Sequence, residues 1–404
     1  MSDHGVIIVG AGQAGCSAAA KLRNLGYEKP ITLIGEEPHP PYQRPPLSKA
    51  YLLGDMPRER LFLRPEAFYV EQQIALRLGS EVTDVSAKDR TVTCGGESLP
   101  YEHLILTTGS TPRRLPDALG GSQPGTYTIR RIADIDAIAP EFKAGKRIVI
   151  VGGGYIGLEV AAVAAKLDLQ VTLIEAAPRI LQRVASPQTA SFFRDLHQSN
   201  GVRILEDTQL SRITGTERAQ GVELASGEVI PADFVVFGIG ISPNTALAEK
   251  AGVVVENGIV TDARGCTSDP HIWAAGDCAT LPYRENQIRL ESVGNAIDQA
   301  EVIAANIAGT ETTYDPKPWF WSDQYDVKLQ IAALNAGYDQ IISRPSNDGA
   351  LSIWYYRSGQ LIAVDAMNDP RAYMIAKRLI EAGKSPAPDL VGAPDTDLKA
   401  LLKG

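Results

Sequence analysis

The 404-residue sequence predicts an α/β fold in which one supersecondary unit occurs twice and a C-terminal α+β domain follows. Two observations support this prediction. Short, continuous apolar runs that end in glycine recur along the chain, and such runs are typical of strands buried on both faces of a parallel sheet. After about Pro318 apolar and polar residues alternate instead, which is the period of a half-exposed antiparallel sheet.

The repeated unit is a strand, a glycine turn, a helix and a second strand. Its predicted elements are strand 6–9, helix 17–25 and strand 31–34 in the first copy, and strand 147–151, helix 158–167 and strand 171–174 in the second. Ligands bind at the carboxyl ends of strands in open α/β sheets. We therefore expect each glycine turn to lie at a binding site.

Both turns carry the pattern G-x-G-x-x-G, at residues 10–15 and 152–157. The first glycine permits a tight turn, the second lets the backbone approach a pyrophosphate, and the third lets the helix pack closely on the strand. The helix N-terminus then faces the phosphates with its partial positive charge. One such match is weak, but two in the same strand–helix context predict two Rossmann-like dinucleotide-binding domains.

An acidic residue is expected where the second strand of each copy ends, because it can accept hydrogen bonds from a ribose. Glu175 stands there in the second copy. Its charge would repel a 2′-phosphate, which favours NAD(H) over NADP(H). In the first copy Glu36 and Glu37 come slightly later, after Gly35. A nicotinamide exchanges hydride, whereas a flavin also releases single electrons, so NADH and FAD are the expected pair of cofactors.

Composition excludes several other classes of protein. The formal net charge of −9 argues against a nucleic-acid binder, and no apolar stretch approaches the ~20 residues that cross a bilayer. The N-terminus lacks the regions of a signal peptide, which predicts a cytoplasmic protein. The cysteines and histidines show no metal-ligand spacing, so no metal site is expected. The four cysteines, which form no C-x-x-C pair, are Cys16, Cys94, Cys266 and Cys278.

Several motifs resemble one known family. They are RPPLSK at 44–49, TTG at 107–109, GGGYIGLE at 152–159, GD at 276–277, ESV at 291–293 and WFWSDQ at 319–324. Together with the two fingerprints they resemble, over essentially the whole chain, the FAD-dependent NADH:ferredoxin reductases of the putidaredoxin reductase type. These enzymes serve bacterial cytochrome P450 and dioxygenase systems.

The resemblance implies a split FAD-binding domain (1–109 and 240–317), an inserted NADH-binding domain (110–239) and a C-terminal domain (318–404). Asp277 would hold the ribityl or phosphate end of FAD, and Glu36 the adenosine ribose. A helix after Val293 would direct its N-terminal dipole at the reduced flavin. The other candidates for cofactor binding are Gly10, Gly12, Ala14, Gly15, Arg44, Val82, Thr108, Gly109, Arg130, Gly152, Gly154, Ile156, Gly157, Gly240 and Val293.

Three residues are the candidates for the chemistry. The resemblance implies that Lys49 and Glu159 lie beside the flavin and hold the nicotinamide. From the residues alone, Lys49 could be a loop lysine and Glu159 a helix-surface glutamate, both solvated. Trp321 would lie near the outer edge of the flavin, whereas we expect Trp319 to pack in a core.

Residues 44–49 contain no cysteine, although disulfide reductases of this superfold carry redox cysteines in that region. Electrons are therefore expected to leave the flavin directly. The resemblance implies an acidic [2Fe–2S] ferredoxin as acceptor, which feeds a cytochrome P450 or a dioxygenase, and a monomer or weak dimer. The alternatives are an NADH oxidase or small-acceptor reductase, and a redox-gated binding protein similar to apoptosis-inducing factor.

Overall fold

A computed structural model describes residues 4–346 and 349–403. Two compact units are present, and neither is continuous in sequence. Unit 1 contains the chain up to Arg44, Pro57–Thr111 and Ile241–Pro316, and unit 2 contains Pro45–Met56, Pro112–Gly240 and the chain from Lys317. Met1–Asp3, which entered the prediction that no signal peptide is present, lie outside the described residues.

The strands and helices are numbered along the chain. Up to residue 138 they are β1 (Val6–Val9), α1 (Gln13–Asn24), β2 (Ile31–Ile34), α2 (Glu66–Glu71), β3 (Ile74–Arg77), β4 (Val82–Ser86), β5 (Thr91–Cys94), β6 (Glu97–Pro100), β7 (His103–Leu106), β8 (Ser110–Pro112), β9 (Thr126–Tyr127) and α3 (Ile132–Ile138). Up to residue 260 they are β10 (Arg147–Val151), α4 (Tyr155–Lys166), β11 (Gln170–Ile174), α5 (Pro187–Ser199), β12 (Arg203–Leu205), β13 (Leu210–Thr214), β14 (Gly221–Leu224), β15 (Val229–Pro231), β16 (Phe234–Phe237), β17 (Ile241–Pro243), α6 (Ala246–Lys250) and β18 (Ile259–Val260). The rest are β19 (Ile272–Ala274), β20 (Ala279–Tyr283), β21 (Asn286–Ile288), α7 (Val293–Ile307), β22 (Trp319–Gln324), β23 (Val327–Ala333), β24 (Gln340–Pro345), β25 (Leu351–Arg357), β26 (Gln360–Met367), α8 (Pro370–Glu381) and α9 (Pro388–Gly392).

Unit 1 is built on a parallel sheet with strand order β19-β7-β1-β2-β3. Strand β1 forms because Val6–Val9 is apolar throughout and buried on both sides. Helices α1 and α7 contribute to one apolar cluster with this sheet, and β4 and β5 to another. Because the strands run in parallel, the residues after β1, β2, β7 and β19 meet at one edge of the sheet.

Unit 2 contains a second parallel sheet, with strand order β12-β11-β10-β16-β9. The α/β prediction is confirmed, including the repetition of the strand–turn–helix–strand unit. Both fingerprint helices begin earlier than predicted, at Gln13 and Tyr155. The last residues of each glycine turn already belong to the helix, so that the third glycine, Gly15 or Gly157, faces the strand within the first helical turn.

The C-terminal part of unit 2 is an antiparallel sheet with strand order β22-β23-β26-β25-β24. The predicted α+β character is confirmed, but the expectation of a half-exposed sheet is wrong for its centre. Residues 352–356 and 361–367 are buried without alternation. Helix α8 packs on one face, and on the other Tyr355 and Asp365 hydrogen-bond Thr189 of α5.

Across the described ranges, no helix has both the length and the apolar character that a membrane span requires.

Candidate active site

The first fingerprint forms an open backbone cradle at the carboxyl edge of the unit 1 sheet. A Cβ atom on Gly10, which has φ +117°, would lie 2.1 Å from the Thr107 carbonyl oxygen, and one on Gly15 would lie 2.1 Å from the Gly10 carbonyl oxygen. A Cβ on Gly12 would meet no atom within 4 Å. The first and third glycines are thus needed for packing, and the second leaves space where a pyrophosphate can approach the N-terminus of α1.

The predicted FAD residues of the neighbouring strands lie at the same edge of unit 1. The Thr107 hydroxyl donates to the Gly10 carbonyl at 2.8 Å, and the Ser110 hydroxyl donates to Asp277 Oδ2 at 3.1 Å. Asp277 lies just beyond the end of β19, after Ala275 and Gly276. The Thr108 hydroxyl donates to the Asn244 carbonyl at 2.6 Å. Gly109 also has a positive φ, +67°. The set predicted from strand ends is therefore brought together within this unit.

Helix α7 begins at Val293, as predicted, and carries two buried polar side chains that suit a ligand. Ser292 caps the helix by accepting from the Asn295 amide at 3.2 Å. Asn295 Oδ1 and Gln299 Nε2 are buried and lack a hydrogen-bond partner among the described residues, although Gln299 Oε1 accepts from the Gly276 amide at 3.0 Å. Buried polar atoms are rarely left unpaired, so these atoms fit a polar cofactor such as FAD.

The acidic residues after β2 differ in their contacts. Glu36 is exposed, whereas Glu37 accepts from the Tyr42 hydroxyl at 2.7 Å and pairs with Arg44 at 3.0 Å. The Arg44 guanidinium also lies over the Tyr42 ring. Among the remaining unit 1 candidates, Ala14 lies buried in α1 and Val82 is a buried core residue at the start of β4. Binding of the adenosine ribose by Glu36 stays a prediction.

The second fingerprint has the same backbone geometry in unit 2. Gly152 has φ +109°, and a Cβ there would lie 2.4 Å from the Gly238 carbonyl oxygen. A Cβ on Gly157 would lie 2.1 Å from the Gly152 carbonyl oxygen, but one on Gly154 would meet nothing within 4 Å. The predicted residue Ile156 is exposed on the first turn of α4, and Gly240 has φ +100° close after β16. This cradle also fits a dinucleotide.

Glu175 is fixed at this cradle by two backbone amides. Its Oε2 accepts from the Gly153 amide and its Oε1 from the Ala177 amide, both at 2.7 Å. The carboxylate therefore stands next to the glycine turn, where an adenosine ribose is held in this class of fold. A negative charge at that place suits ribose hydroxyls and opposes an added phosphate.

Lys49 and Glu159 form a buried ion pair within unit 2. Lys49 Nζ lies 2.7 Å from Glu159 Oε2, and the side chains are 17% and 2% exposed. The Ser48 hydroxyl donates to Glu159 Oε2 at 2.5 Å, and the Ser322 hydroxyl donates to Oε1 at 2.7 Å. The solvated-surface interpretation of this pair is therefore wrong. A buried carboxylate is retained because a cation and several donors offset its desolvation.

Two of the donors to Glu159 had no assigned role at the level of sequence. Ser48 lies in the RPPLSK motif and Ser322 in the WFWSDQ motif, yet serine in a loop or strand carries no spacing signal. Ser322 lies 163 residues from Glu159 along the chain. Only the fold brings these hydroxyls together.

The remaining candidates in unit 2 are Arg130 and Trp321. The Arg130 amide donates to Asp134 Oδ2 at 2.9 Å, close to the start of α3. The Trp321 ring stacks on Trp319, with centroids 5.3 Å apart and planes 19° apart. Residues two apart in a strand share a face, and both indoles are half-buried. Trp319 thus stacks beside Trp321, and its packing in a core stays a prediction.

The cysteines are free thiols. Burial raises the pKa of Cys16, Cys266 and Cys278 above its usual value, so these groups are poor nucleophiles at neutral pH. Among the described residues no three His, Cys, Asp or Glu side chains are grouped to hold a metal ion.

Comparison with known proteins identifies the family. Residues 4–300 match the pyridine nucleotide-disulphide oxidoreductase family, and residues 319–402 match the reductase C-terminal domain. The chain belongs to the pyridine nucleotide-disulphide oxidoreductase family, as a member with the reductase C-terminal domain. The predicted resemblance to the putidaredoxin reductase type is confirmed, and the family implies FAD and NAD(H) as cofactors.

Named relatives cover nearly the whole chain. The ferredoxin–NAD(P)(+) reductase of Sphingomonas sp is 44% identical over 94% of both chains. Putidaredoxin reductase CamA of Pseudomonas putida is 39% identical over 99% of this chain and 97% of that protein. Among solved structures, the covalent putidaredoxin reductase–putidaredoxin complex matches with a TM-score of 0.96 at 38% identity, over 100% of this chain and 99% of that chain.

Proposed function

We propose that the protein is an NADH-dependent FAD enzyme that passes electrons from NADH to a [2Fe–2S] ferredoxin, which in turn feeds a cytochrome P450 or a related oxygenase. The carrying observation is the buried Lys49–Glu159 pair, in which Glu159 lies on the helix that follows the second of two dinucleotide cradles. Relatives named as ferredoxin and putidaredoxin reductases support the ferredoxin as acceptor. They favour this function over an oxidase or a redox-gated binding protein.

The proposal keeps three functional regions. Residues 1–109 and 240–317 would bind FAD, 110–239 would bind NADH, and 318–404 would form the C-terminal domain. The family match that ends at residue 300 and the separate match over 319–402 support the last boundary. The free cysteines support a cytoplasmic location.

FAD supplies the conversion of one hydride into two single electrons. In unit 1, Gly12 and the N-terminus of α1 would hold the pyrophosphate, Asp277 the ribityl or phosphate end, and Glu36 the adenosine ribose. The cradle without a Cβ at Gly12 and the unpaired Asn295 and Gln299 atoms support this placement.

The residues of unit 2 would bind and orient the nicotinamide cofactor. Glu175, held by two amides at the cradle, would bind the ribose of NADH and oppose the 2′-phosphate of NADPH. The Lys49 ammonium has three donors, and its contacts with Glu159 and the Pro45 carbonyl use two of them. A fixed ammonium with a remaining donor can stabilise negative charge that develops during hydride transfer.

The decisive experiment is paired kinetics with two acceptors. With NADH as donor, reduction of cytochrome c should require an added [2Fe–2S] ferredoxin, whereas ferricyanide should be reduced without it. Higher salt should slow the ferredoxin reaction more than the ferricyanide reaction, because only a protein partner needs oriented docking. Trp321→Ala should impair only the ferredoxin reaction. Rapid reduction of oxygen or quinones with no gain from ferredoxin would instead establish the small-acceptor function.

A further inference from the structure

A row of buried polar side chains leads away from Glu159 into the C-terminal sheet of unit 2. Ser322 and Gln324 lie on β22 and His197 on α5, and all three are fully buried. Ser322 and Gln324 share one face of β22, because strand residues two apart point the same way. Tyr325 follows in the loop to β23. We call Ser322, Gln324, His197 and Tyr325 the polar chain.

Direct hydrogen bonds join every member of the polar chain. The Ser322 hydroxyl lies 2.7 Å from Glu159 Oε1, and Gln324 Nε2 lies 3.1 Å from Ser322 Oγ. His197 Nε2 is 2.8 Å from Gln324 Oε1, and the Tyr325 hydroxyl is 3.1 Å from His197 Nδ1. These distances lie in the range of well-formed hydrogen bonds.

The chemistry of the groups fixes the direction of each bond. An ionised carboxylate can only accept, so Ser322 donates to Glu159 and can then accept from the Gln324 amide. The Gln324 carbonyl oxygen in turn requires a proton on His197 Nε2. His197 Nδ1 is left as the acceptor of the Tyr325 hydroxyl. Each hydrogen bond of the polar chain is therefore donated toward Glu159, and hydrogen bonds aligned in this way polarise one another.

Two further observations concern His197 and Tyr325, and the first agrees with this direction. Burial lowers the pKa of His197 to about 4, so the imidazole is neutral at neutral pH and Nδ1 keeps its lone pair. Tyr325 has φ +56° in a two-residue hairpin loop, a conformation in which glycine is preferred and a bulky residue is strained. The fold tolerates this strain while the Tyr325 hydroxyl reaches the imidazole, and such outliers cluster at functional sites.

We propose that the polar chain is a positioning device for Glu159, and that Ser322 is the residue that holds this carboxylate in line with Lys49. The inference rests on the proposed function, in which the Lys49–Glu159 pair serves hydride transfer from NADH. The members of the chain act through Glu159: each supplies the donor that its neighbour needs, and Ser322 keeps Oε1 bonded while Lys49 and Ser48 engage Oε2. They are positioning residues.

The first test is stopped-flow reduction of the FAD-loaded enzyme by NADH. Ser322→Ala removes the donor to Glu159 Oε1, and flavin reduction at saturating NADH should slow about tenfold while FAD stays bound. Ser322→Cys restores the volume and a weak donor, and should recover part of the rate. The matched control is Ser352→Ala, because Ser352 is an equally buried strand serine whose hydroxyl accepts from the Trp354 indole.

The control should lose stability without losing the rate of flavin reduction. If Ser322→Ala reduces flavin at the wild-type rate, or if Ser352→Ala slows it equally, the positioning role is overturned. Tyr325→Phe removes only the far end of the chain and should slow reduction by about twofold, since its effect passes through three hydrogen bonds.

The second test does not depend on turnover. Nitrogen-15 NMR of histidine-labelled holoenzyme, with His197→Gln to assign the signal, should show a neutral imidazole protonated at Nε2. In Gln324→Met the Nε2 proton loses its acceptor, and the signal should move. A wild-type imidazole protonated at Nδ1 would overturn the proposal. If wild-type flavin were not reduced by NADH at all, the proposed function would fail, yet the histidine signal would still decide the direction of the chain.

Discussion

The helix after the glycine fingerprint carries Ser17 in unit 1 and Glu159 at the equivalent position in unit 2. Ser17 is half-exposed and accepts a long hydrogen bond, 3.3 Å, from Gln13 one turn earlier. Glu159 is 2% exposed and binds Lys49, Ser48 and Ser322. The backbone turns before the two helices are nearly identical. The glycine cradle is therefore repeated in both units, but only the helix of unit 2 carries a buried charge at this position, Glu159.

The acidic residues that follow the second strand of each copy differ in the same way. Glu175 bonds two backbone amides of its own unit, Gly153 and Ala177, whereas Glu37 bonds the side chains of Tyr42 and Arg44. Because the Glu175 carboxylate is bonded to the Gly153 amide, it cannot move independently of the glycine turn. The acidic residue of the second cradle is therefore fixed to the glycine turn itself, whereas that of the first is fixed to the loop that follows β2.

The largest expected effects come from placing a side chain at Gly12 or Gly154, because each variant should lose the binding of a different cofactor. Gly12 and Gly154 both have extended backbones that a β-branched residue can adopt, and neither Cβ would meet an atom. Each valine variant should therefore fold, but its side chain should block the space into which a cofactor's pyrophosphate would enter. We expect Gly12→Val to purify with little FAD, measured by absorbance, and Gly154→Val to retain FAD while its KM for NADH rises at least about tenfold. The two variants serve as controls for each other. If Gly154→Val lost FAD and Gly12→Val raised the KM for NADH, the FAD and NADH sites would have to be exchanged.

Breaking the ion pair that Glu159 of α4 forms with Lys49 should give the next largest effect. Lys49→Met should slow flavin reduction by NADH about a hundredfold, because the Glu159 carboxylate loses its cation and any developing charge loses a donor. FAD content should not change. Glu159→Gln should act in the same direction more mildly. Lys146→Met is the control, since Lys146 pairs with Glu141 at 2.6 Å in the same unit; equal loss in the control would refute a specific role for Lys49.

The preference for NADH over NADPH tests the difference between Glu175 and Glu37. Wild-type enzyme should prefer NADH, and Glu175→Ala should reduce the ratio of kcat/KM for NADH over NADPH about tenfold. Glu175→Arg should reduce it further, because a guanidinium binds the added phosphate. Glu37→Ala, which removes an acidic residue at the corresponding strand end of unit 1, should leave the ratio unchanged. A wild type that uses both coenzymes equally would show that the ribose argument is wrong.

The strands of both copies were predictable to within about a residue, because each is a short, mostly apolar run that ends at glycine or, in β11, at Glu175. Strand Phe234–Phe237 follows this rule in full. The helix starts at Gln13 and Tyr155 were missed because glycine disfavours a helix interior, and the close approach of helix and strand outweighs that preference. The two-sided burial of β25 and β26 was missed because alternation in sequence reports one packed face, and here α5 and α8 cover both.

The site was predictable where a motif fixes local geometry and not where distant segments meet. The two fingerprints and Glu175 follow from spacing along one strand–helix unit. Ser322 and Gln324 alternate with Trp321 and Asp323 on β22, and polar residues at that spacing usually indicate a solvent face. Their face is the buried one, because Glu159 and His197 supply polar partners there. Sequence alone does not locate those partners.

The smallest expected effect concerns Cys16, which stands in α1 where α4 has Leu158. Both side chains are buried, so the equivalence predicts that Cys16 acts as a small apolar residue and not as a redox group. Burial raises the pKa of its thiol, and its sulfur lies 3.3 Å from the Tyr69 hydroxyl.

Because the raised pKa keeps the reactive thiolate scarce at pH 8, iodoacetamide should leave NADH-to-ferricyanide activity intact. Cys16→Ala should retain activity within about twofold and lose about 1 kcal/mol of stability through the smaller side chain. Complete inactivation of the folded holoenzyme by the alkylating agent, together with loss of activity in Cys16→Ala, would mean that electrons pass through this sulfur and that the first cradle carries chemistry of its own.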